Sequence, residues 1–340
     1  MDFKYNDFTG SFVKPFGNNF LLQELGLFKE KHSDTPKIES DDLRDGAIEV
    51  AGSINRYGSE LIATERPLSR SRLLEIPHWA LSGEVSAADF QGIRRPGTQR
   101  QQTMDQLVSD EAIRQFLKYR TIKEDVLATC LFKGIVNAPY TQQKVIDMEE
   151  EFGEGFSSAV ISVNLPSAIL ETLDTAATDL RVSLGGWVKA LSGMLVLCSP
   201  EFYKKIKYSE EIRVLVQHGV LPDSTLFNAS VRANLPAYQA FELDGLTFVN
   251  CVGYEKYIST GEAFMVPVFA DNIVQSDHSP REVISGPASR NARVAASGVQ
   301  APFYAYGFED RLGNRTVMSE FGVLPLQYDL SMTKKLTFDV

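Results

Sequence analysis

Cysteine is scarce: the 340 residues hold only Cys130, Cys198 and Cys251, far apart and odd in number. That excludes a disulfide framework and fits buried thiols in a reducing compartment. His32, His78, His218 and His278 stand alone, none near a cysteine and no two at a spacing that sets two ligands on one helix face. A metal site would need ligands gathered from distant segments, and no metal or other cofactor is expected. No run of about 18 apolar residues occurs, so no helical membrane span is expected. The opening MDFKYNDFTGSFVKPFGNNF lacks a basic start followed by an apolar core, so no secretory leader is expected either. Basic residues are outnumbered, 34 Lys and Arg against 44 Asp and Glu, for a net charge of −10. A dedicated nucleic-acid reader needs a basic face to neutralise phosphates, which this balance argues against; a protein that merely encloses nucleic acid is not excluded.

Catalytic constellations are missing as well. Ser11-Phe12-Val13-Lys14 and Ser331-Met332-Thr333-Lys334 match Ser-x-x-Lys. The first runs into Pro15 and the second into a terminal strand, and neither has the accompanying motifs. Gly153-Glu154-Gly155 lacks the third glycine and the basic partner of a phosphate loop. Asn228-Ala229-Ser230 and Asn314-Arg315-Thr316 match the glycosylation pattern but mean nothing without secretion. Asp147-Met148-Glu149-Glu150-Glu151 reads as a solvated acidic edge, with a cation site as the minority alternative. No nucleophile, base and orienting group can be nominated together. In a chain this long that absence points toward a structural role rather than an enzyme.

What is present is a long helix. Ser109 to Lys133 contains no Gly or Pro and is followed by Gly134. Ser109 can cap the first turn, Asp110 and Glu111 suit its positive end, and Gly134 can take a left-handed stop. At 100° per residue, Arg114, Lys118, Thr121, Asp125 and Thr129 form a narrow polar stripe. Ile113, Phe116, Leu117, Tyr119, Ile122, Val126, Leu127, Cys130 and Leu131 cover most of the remaining circumference, interrupted by Arg120, Lys123 and Glu124. So wide an apolar arc needs cover on more than one side. It reads either as the core helix of an ordinary domain or as a spine with sheet on one side and another chain on the other.

Around it, residues 1–46 are apolar yet broken. Phe3, Phe8, Phe12, Phe16, Phe20, Leu21 and Phe28 are too many for a disordered tail, but Gly10, Pro15, Gly17, Gly26 and Pro36 prevent a long helix. Such an arm buries itself against its own body or a neighbour. Residues 47–98 are dense in charge, with candidate strands at 48–50 and 59–63, and read as a two-stranded finger. Beyond the helix, strands are expected at 144–148 and 159–163, a helix at 166–180 and a buried strand at 194–198. Ser199-Pro200 and Ser209 then cap two short helices, and further strands follow at 246–250 and 264–269. Residues 166–275 thus alternate helix and strand like a small α/β domain. Residues 280–300 read as a surface connection. Residues 303–308 pair with 317–326 around Arg311-Leu312-Gly313-Asn314, and 336–338 form a last strand.

This order of elements resembles the phage lambda major head protein family, whose fold is named after phage Hong Kong 97. The resemblance is carried by LLQELGLFKE (Leu21–Glu30), the spine DEAIRQFLKYRTIKEDVLATCLFKG, KVIDM just beyond it, MLVLCSPEFYKKIKYSEEIRVLV (Met194–Val216) and the ending SEFGVLPLQYDLSMTKKLTFDV. It covers almost the whole chain, with residues 218–240 as an insertion. It implies an α+β fold in five parts: an N-terminal arm (1–46), an extended loop (47–98), a peripheral domain with the spine helix (99–165), an axial domain (166–299) and C-terminal strands returning to the peripheral domain (300–340). It further implies a non-enzymatic subunit that assembles with itself into hexamers and pentamers of an icosahedral phage head enclosing double-stranded DNA. Scaffold, portal and a decoration protein are the implied partners, and the implied locations are the virion and the bacterial host cytoplasm during assembly. Phe12, Phe16, Phe20, Leu21, Phe28, Arg66, Arg70, Arg72 and Trp79 would touch other subunits. Ile113, Phe116, Leu117, Val126, Leu127 and Leu131 would be the spine's core. The readings left open beside it are a cytosolic two-domain enzyme and a cellular nanocompartment subunit of the same fold.

Overall fold

The computed structural model describes residues 20–43, 69–90, 104–141, 143–162, 168–217, 238–270, 279–311 and 313–339. The candidate strands at 48–50 and 59–63 and most of the 218–240 insertion lie outside them.

The spine, helix α3, runs Met104–Lys133, following the short helices α1 (Leu21–Leu25) and α2 (Ala87–Phe90). It starts five residues before the expected cap at Ser109. Met104 to Val108 contain no breaker, and Asp105 supplies the acidic residue that suits a helix start, so the serine is carried inside the helix. Its end is where the sequence placed it. Gly134 takes φ 67°, and its N–H reaches the Cys130 carbonyl at 2.9 Å, a left-handed stop that costs a glycine little.

Two sheets flank the spine. The first holds β1 (Lys29–His32), β4 (His78–Val85), β12 (Arg281–Gly286), β13 (Tyr304–Glu309) and β14 (Arg315–Gln327). The 13-residue β14 is its axis: residues 315–322 pair with β4 on one edge, 315–320 with β13 on the other, and 322–327 with β12. The edge partner changes at Gly322, which faces both His78 and Gly286. A Cβ on Gly322 would meet the Gly286 backbone at 3.1 Å, so glycine is needed where the strands converge. β12 carries β1 in parallel on its far edge.

The second sheet has the order β7 (Ser157–Ile161), β15 (Lys334–Phe338), β11 (Glu262–Phe269), β8 (Leu191–Cys198), β10 (Leu246–Asn250) and β9 (Ala240–Leu243). Both of its faces are covered, and its sequence alternates between two cores. Met194, Val196, Met265 and Phe248 turn toward helices α5 (Ala168–Ser183) and α6 (Pro200–Lys207), while Leu197, Phe264, Val266 and Val249 turn toward the spine. The expected caps form: Ser199 Oγ accepts from Phe202 N–H, and Ser209 Oγ from Ile212 N–H in α7 (Glu210–Gln217). Two small ribbons complete the strands: β2 (Lys37–Leu43) with β3 (Ser69–Glu75), and β5 (Ile135–Asn137) with β6 (Lys144–Asp147), the latter leading into helix α4 (Met148–Phe152).

Three expectations need correction. Residues 281–286 are not a surface connection but a fully buried central strand, the partner of β14. β-branched Val283 and Ile284 there outweigh the polar composition of the surrounding stretch. The charged region 47–98 is not one finger. Its ribbon begins earlier, at Lys37, while His78–Val85 belongs to the first sheet, with Trp79 stacked on Phe321 at 5.7 Å. Strand β15 joins the second sheet, between β7 and β11, rather than the sheet of β13 and β14.

Candidate assembly surfaces

The N-terminal segment is clasped to the spine by buried charge. Glu124, 6% exposed, accepts hydrogen bonds from Leu22 N–H at 2.7 Å, Gln23 N–H at 3.2 Å, Gln23 Nε2 at 2.9 Å and the Tyr254 hydroxyl. Burial raises its carboxyl above the usual range, and those hydrogen bonds offset the rise only in part. One turn away, Gln23 Nε2 donates to the Arg120 carbonyl at 2.8 Å, and the Arg120 guanidinium lies 4.0 Å from the Phe20 ring centre. Lys123, itself buried, pairs with Glu30 at 2.5 Å. Further along, Lys31 pairs at 2.8 Å with Glu282, a buried carboxylate that also accepts from Ser279 N–H at 2.7 Å. The root of the arm is therefore fixed on its own chain.

A third buried carboxylate, Glu320, holds the turn after β12. It accepts from Ser289 N–H and Arg290 N–H, each at 2.9 Å, and from the Tyr306 hydroxyl at 3.2 Å, with His78 Nε2 3.3 Å away. Burial lowers the His78 pKa, against the pull of Glu320. Arg281 is buried beneath the sheet, donates to the Pro267 carbonyl and lies 5.6 Å from the Phe269 ring centre; burial lowers its pKa to about 9.

The ribbon of β2 and β3 is gripped midway along its length, at Arg72, which lies opposite Ser40. Arg72 Nε lies 3.7 Å from Glu151 of α4, and its guanidinium is 5.1 Å from the Phe152 ring centre. On the same ribbon Leu73 is 67% exposed, whereas Leu74 and Ile76 enter the core.

Among the residues expected to touch other subunits, Phe20, Leu21, Phe28 and Trp79 are buried inside the chain itself. Arg72 meets its own chain's Glu151. The ribbon and arm root thus close in cis, because α4 and the spine supply the partners that the sequence seemed to lack. Phe12, Phe16 and Arg66 lie outside the described residues, and Arg70 is placed only as a backbone position in β3. Of the expected spine core, Val126, Leu127 and Leu131 are buried and Leu117 is half-buried. Ile113 and Phe116 are 59% and 44% exposed, contrary to expectation. The first half of the spine lies along β14 and β4, so one flank stays open; only the second half is enclosed by both sheets and the N-terminal segment. Glu124, Lys123, Glu282, Glu320 and Arg281 were missed. Lys123 and Glu124 did carry a signal, since they interrupt the apolar arc of the helix.

A protein-family model described as phage major capsid protein E matches residues 14–286. The chain belongs to that family. This capsid protein is 20% identical over 335 residues to the major capsid protein of Pseudomonas phage KPP10, across 92% of this chain and 90% of that one. Its fold is similar to the capsid of Myoviridae phage XM1, with TM-score 0.51 and 14% identity over 96% of this chain and 94% of that chain. It is also similar to the capsid of an empty GTA particle, with TM-score 0.53 and 10% identity over 99% and 96%. At those identities the solved structures speak for the fold alone, which is of the Hong Kong 97 type. The sequence resemblance stands: the chain is a structural major capsid protein of a tailed phage, a component of the virion head. The enzyme and nanocompartment readings are not favoured.

Proposed function

We propose that this capsid protein builds the hexamers and pentamers of an icosahedral head that encloses double-stranded DNA. The observation that carries this reading is the two-strand ribbon. Strands β2 and β3 pair from Lys37↔Glu75 to Leu43↔Ser69 as a ribbon separate from both main sheets, and Arg72 midway along it ties it to α4. A separate ribbon of this kind can supply heterologous contacts, which close by symmetry into shells and sum many modest interfaces into a stable wall. In this reading the first sheet with the spine is the peripheral domain, and the second sheet with α5 to α7 is the axial domain around capsomer centres. Net charge of −10 suits a container whose wall must not bind its contents. Scaffold, portal and decoration proteins belong to the same proposal, as does assembly in the host cytoplasm. Sedimentation and negative-stain imaging of the purified protein, alone and with scaffold, test it. Capsomers or shells are expected; compact monomers under every condition would refute it.

A further inference from the structure

Strand β4 gives one edge to β14, and its other edge pairs with no strand among the described residues. An open edge is a template on which another chain can add a strand. The two ends of this one are poor templates. Pro77 precedes it without an N–H to offer, and Glu84 sets a charge near its close. The middle, Ala80 to Ser82, holds neither proline nor charge.

There a side chain from another turn closes the edge. The Tyr140 hydroxyl donates to the Ala80 carbonyl at 2.6 Å and accepts from the Ala80 N–H at 3.0 Å. One hydroxyl thus occupies both ladder groups that Ala80 turns away from β14. Tyr140 stands between β5 and β6, in a turn where Thr141 N–H meets the Ala138 carbonyl at 3.3 Å. Pro139 fills the second place of that turn. The third place, with φ 61°, is one that glycine or asparagine fills at least cost, and a bulky side chain there is disfavoured. Tyr140 is also 70% exposed, so burial does not repay the cost. The two bonds to Ala80 are what this tyrosine gains.

We propose that Tyr140 is an edge guard: its hydroxyl blocks the middle of β4 against pairing with the β4 edge of a second copy. Two identical edges can pair antiparallel about a twofold axis, and the stretch free of proline and charge is where that axis would fall. Such a pair is closed on itself and takes both copies out of any larger assembly. The guard is therefore an autoinhibitory contact, and it acts whatever form the larger assembly takes.

The test uses the full-length chain in dilute solution. It compares Ser82→Cys alone with Ser82→Cys carrying Tyr140→Phe or Tyr140→Gly. Ser82 is exposed on the edge, so its replacement leaves the core intact. The native thiols do not compete: Cys130, Cys198 and Cys251 are buried, and burial pushes the Cys130 thiol up to about 12. A short bismaleimide should join two chains about tenfold faster in either double variant, which corresponds to roughly 1.4 kcal/mol of lost hydrogen bonding. Thermal melting should hold in both: Tyr140→Phe keeps the ring, and Tyr140→Gly suits the turn. Joining no faster than with Ser82→Cys alone would overturn the proposal. So would faster joining accompanied by lowered melting, which would trace to unfolding and leave Tyr140 a mere fastener of the turn between β5 and β6.

Discussion

Glu124 forms no ion pair among the described residues; its charge is met only by N–H and O–H dipoles. Because burial raises its pKa, the folded protein holds the Glu124 proton more tightly than the unfolded chain does. The stabilising contribution is complete below the ordinary carboxylate value and is lost as pH rises through the folded value. Glu124→Gln should remove that decline. It should also lower stability somewhat at every pH, since its amide hydrogens face N–H donors. Thermal unfolding measured stepwise from mildly acidic to neutral pH checks this; an unchanged slope would assign the proton linkage elsewhere. Glu124→Ala should be harsher, because it strands the Leu22 and Gln23 N–H groups. At about 1–3 kcal/mol for each of these two unsatisfied buried groups, the cost is roughly 2–6 kcal/mol by urea unfolding, with faster proteolysis near Phe20.

At the level of elements, the two halves of the spine should respond differently to charge. Val126→Asp buries an unpaired carboxylate beside Leu127 and Leu131 and should abolish folding, since such a charge costs several kcal/mol. Phe116→Asp faces water and should leave a folded subunit. Circular dichroism of both variants decides; loss of fold in Phe116→Asp would place that half in the core. The ribbon offers a parallel contrast. Arg72→Glu opposes Glu151, but a partly exposed pair is worth only about 0–1 kcal/mol. Melting should barely move, while assembly followed by light scattering becomes slower and more dependent on salt. Equal assembly rates would show that the ribbon's grip does not need this pair. The spine's end and the serine caps of α6 and α7 were legible because capping chemistry is local. The exposure of Ile113 and Phe116 was not, because helical periodicity reveals an apolar face without revealing which length of it a sheet will cover.

Across the whole molecule, short apolar runs announced β8 as a buried strand and β10 and β11 as further strands. Pairing across long separations stayed hidden. Nothing local tells 281–286 to seek 322–327, or 29–32 to lie beside 281–286, and the three buried glutamates act between segments far apart in the chain. Removing residues 1–19 tests the balance between body and arm. The two cores are built from described residues beyond them, so the truncated subunit should fold and melt close to the full chain. Closed shells should form poorly, as judged by negative stain. Normal heads from the truncated protein would show that this segment is dispensable for closure.

Strand β15 sets a clock on synthesis. It lies between β7 and β11, so β7 has no place in the second sheet until residues 334–338 arrive. On a ribosome the spine, α5 and α6 emerge well before the strand that joins their sheet to β7. A nascent capsid subunit is thus held short of its finished shape until almost all of this sequence has been translated. That delay would keep unfinished chains out of a growing shell without any separate checkpoint.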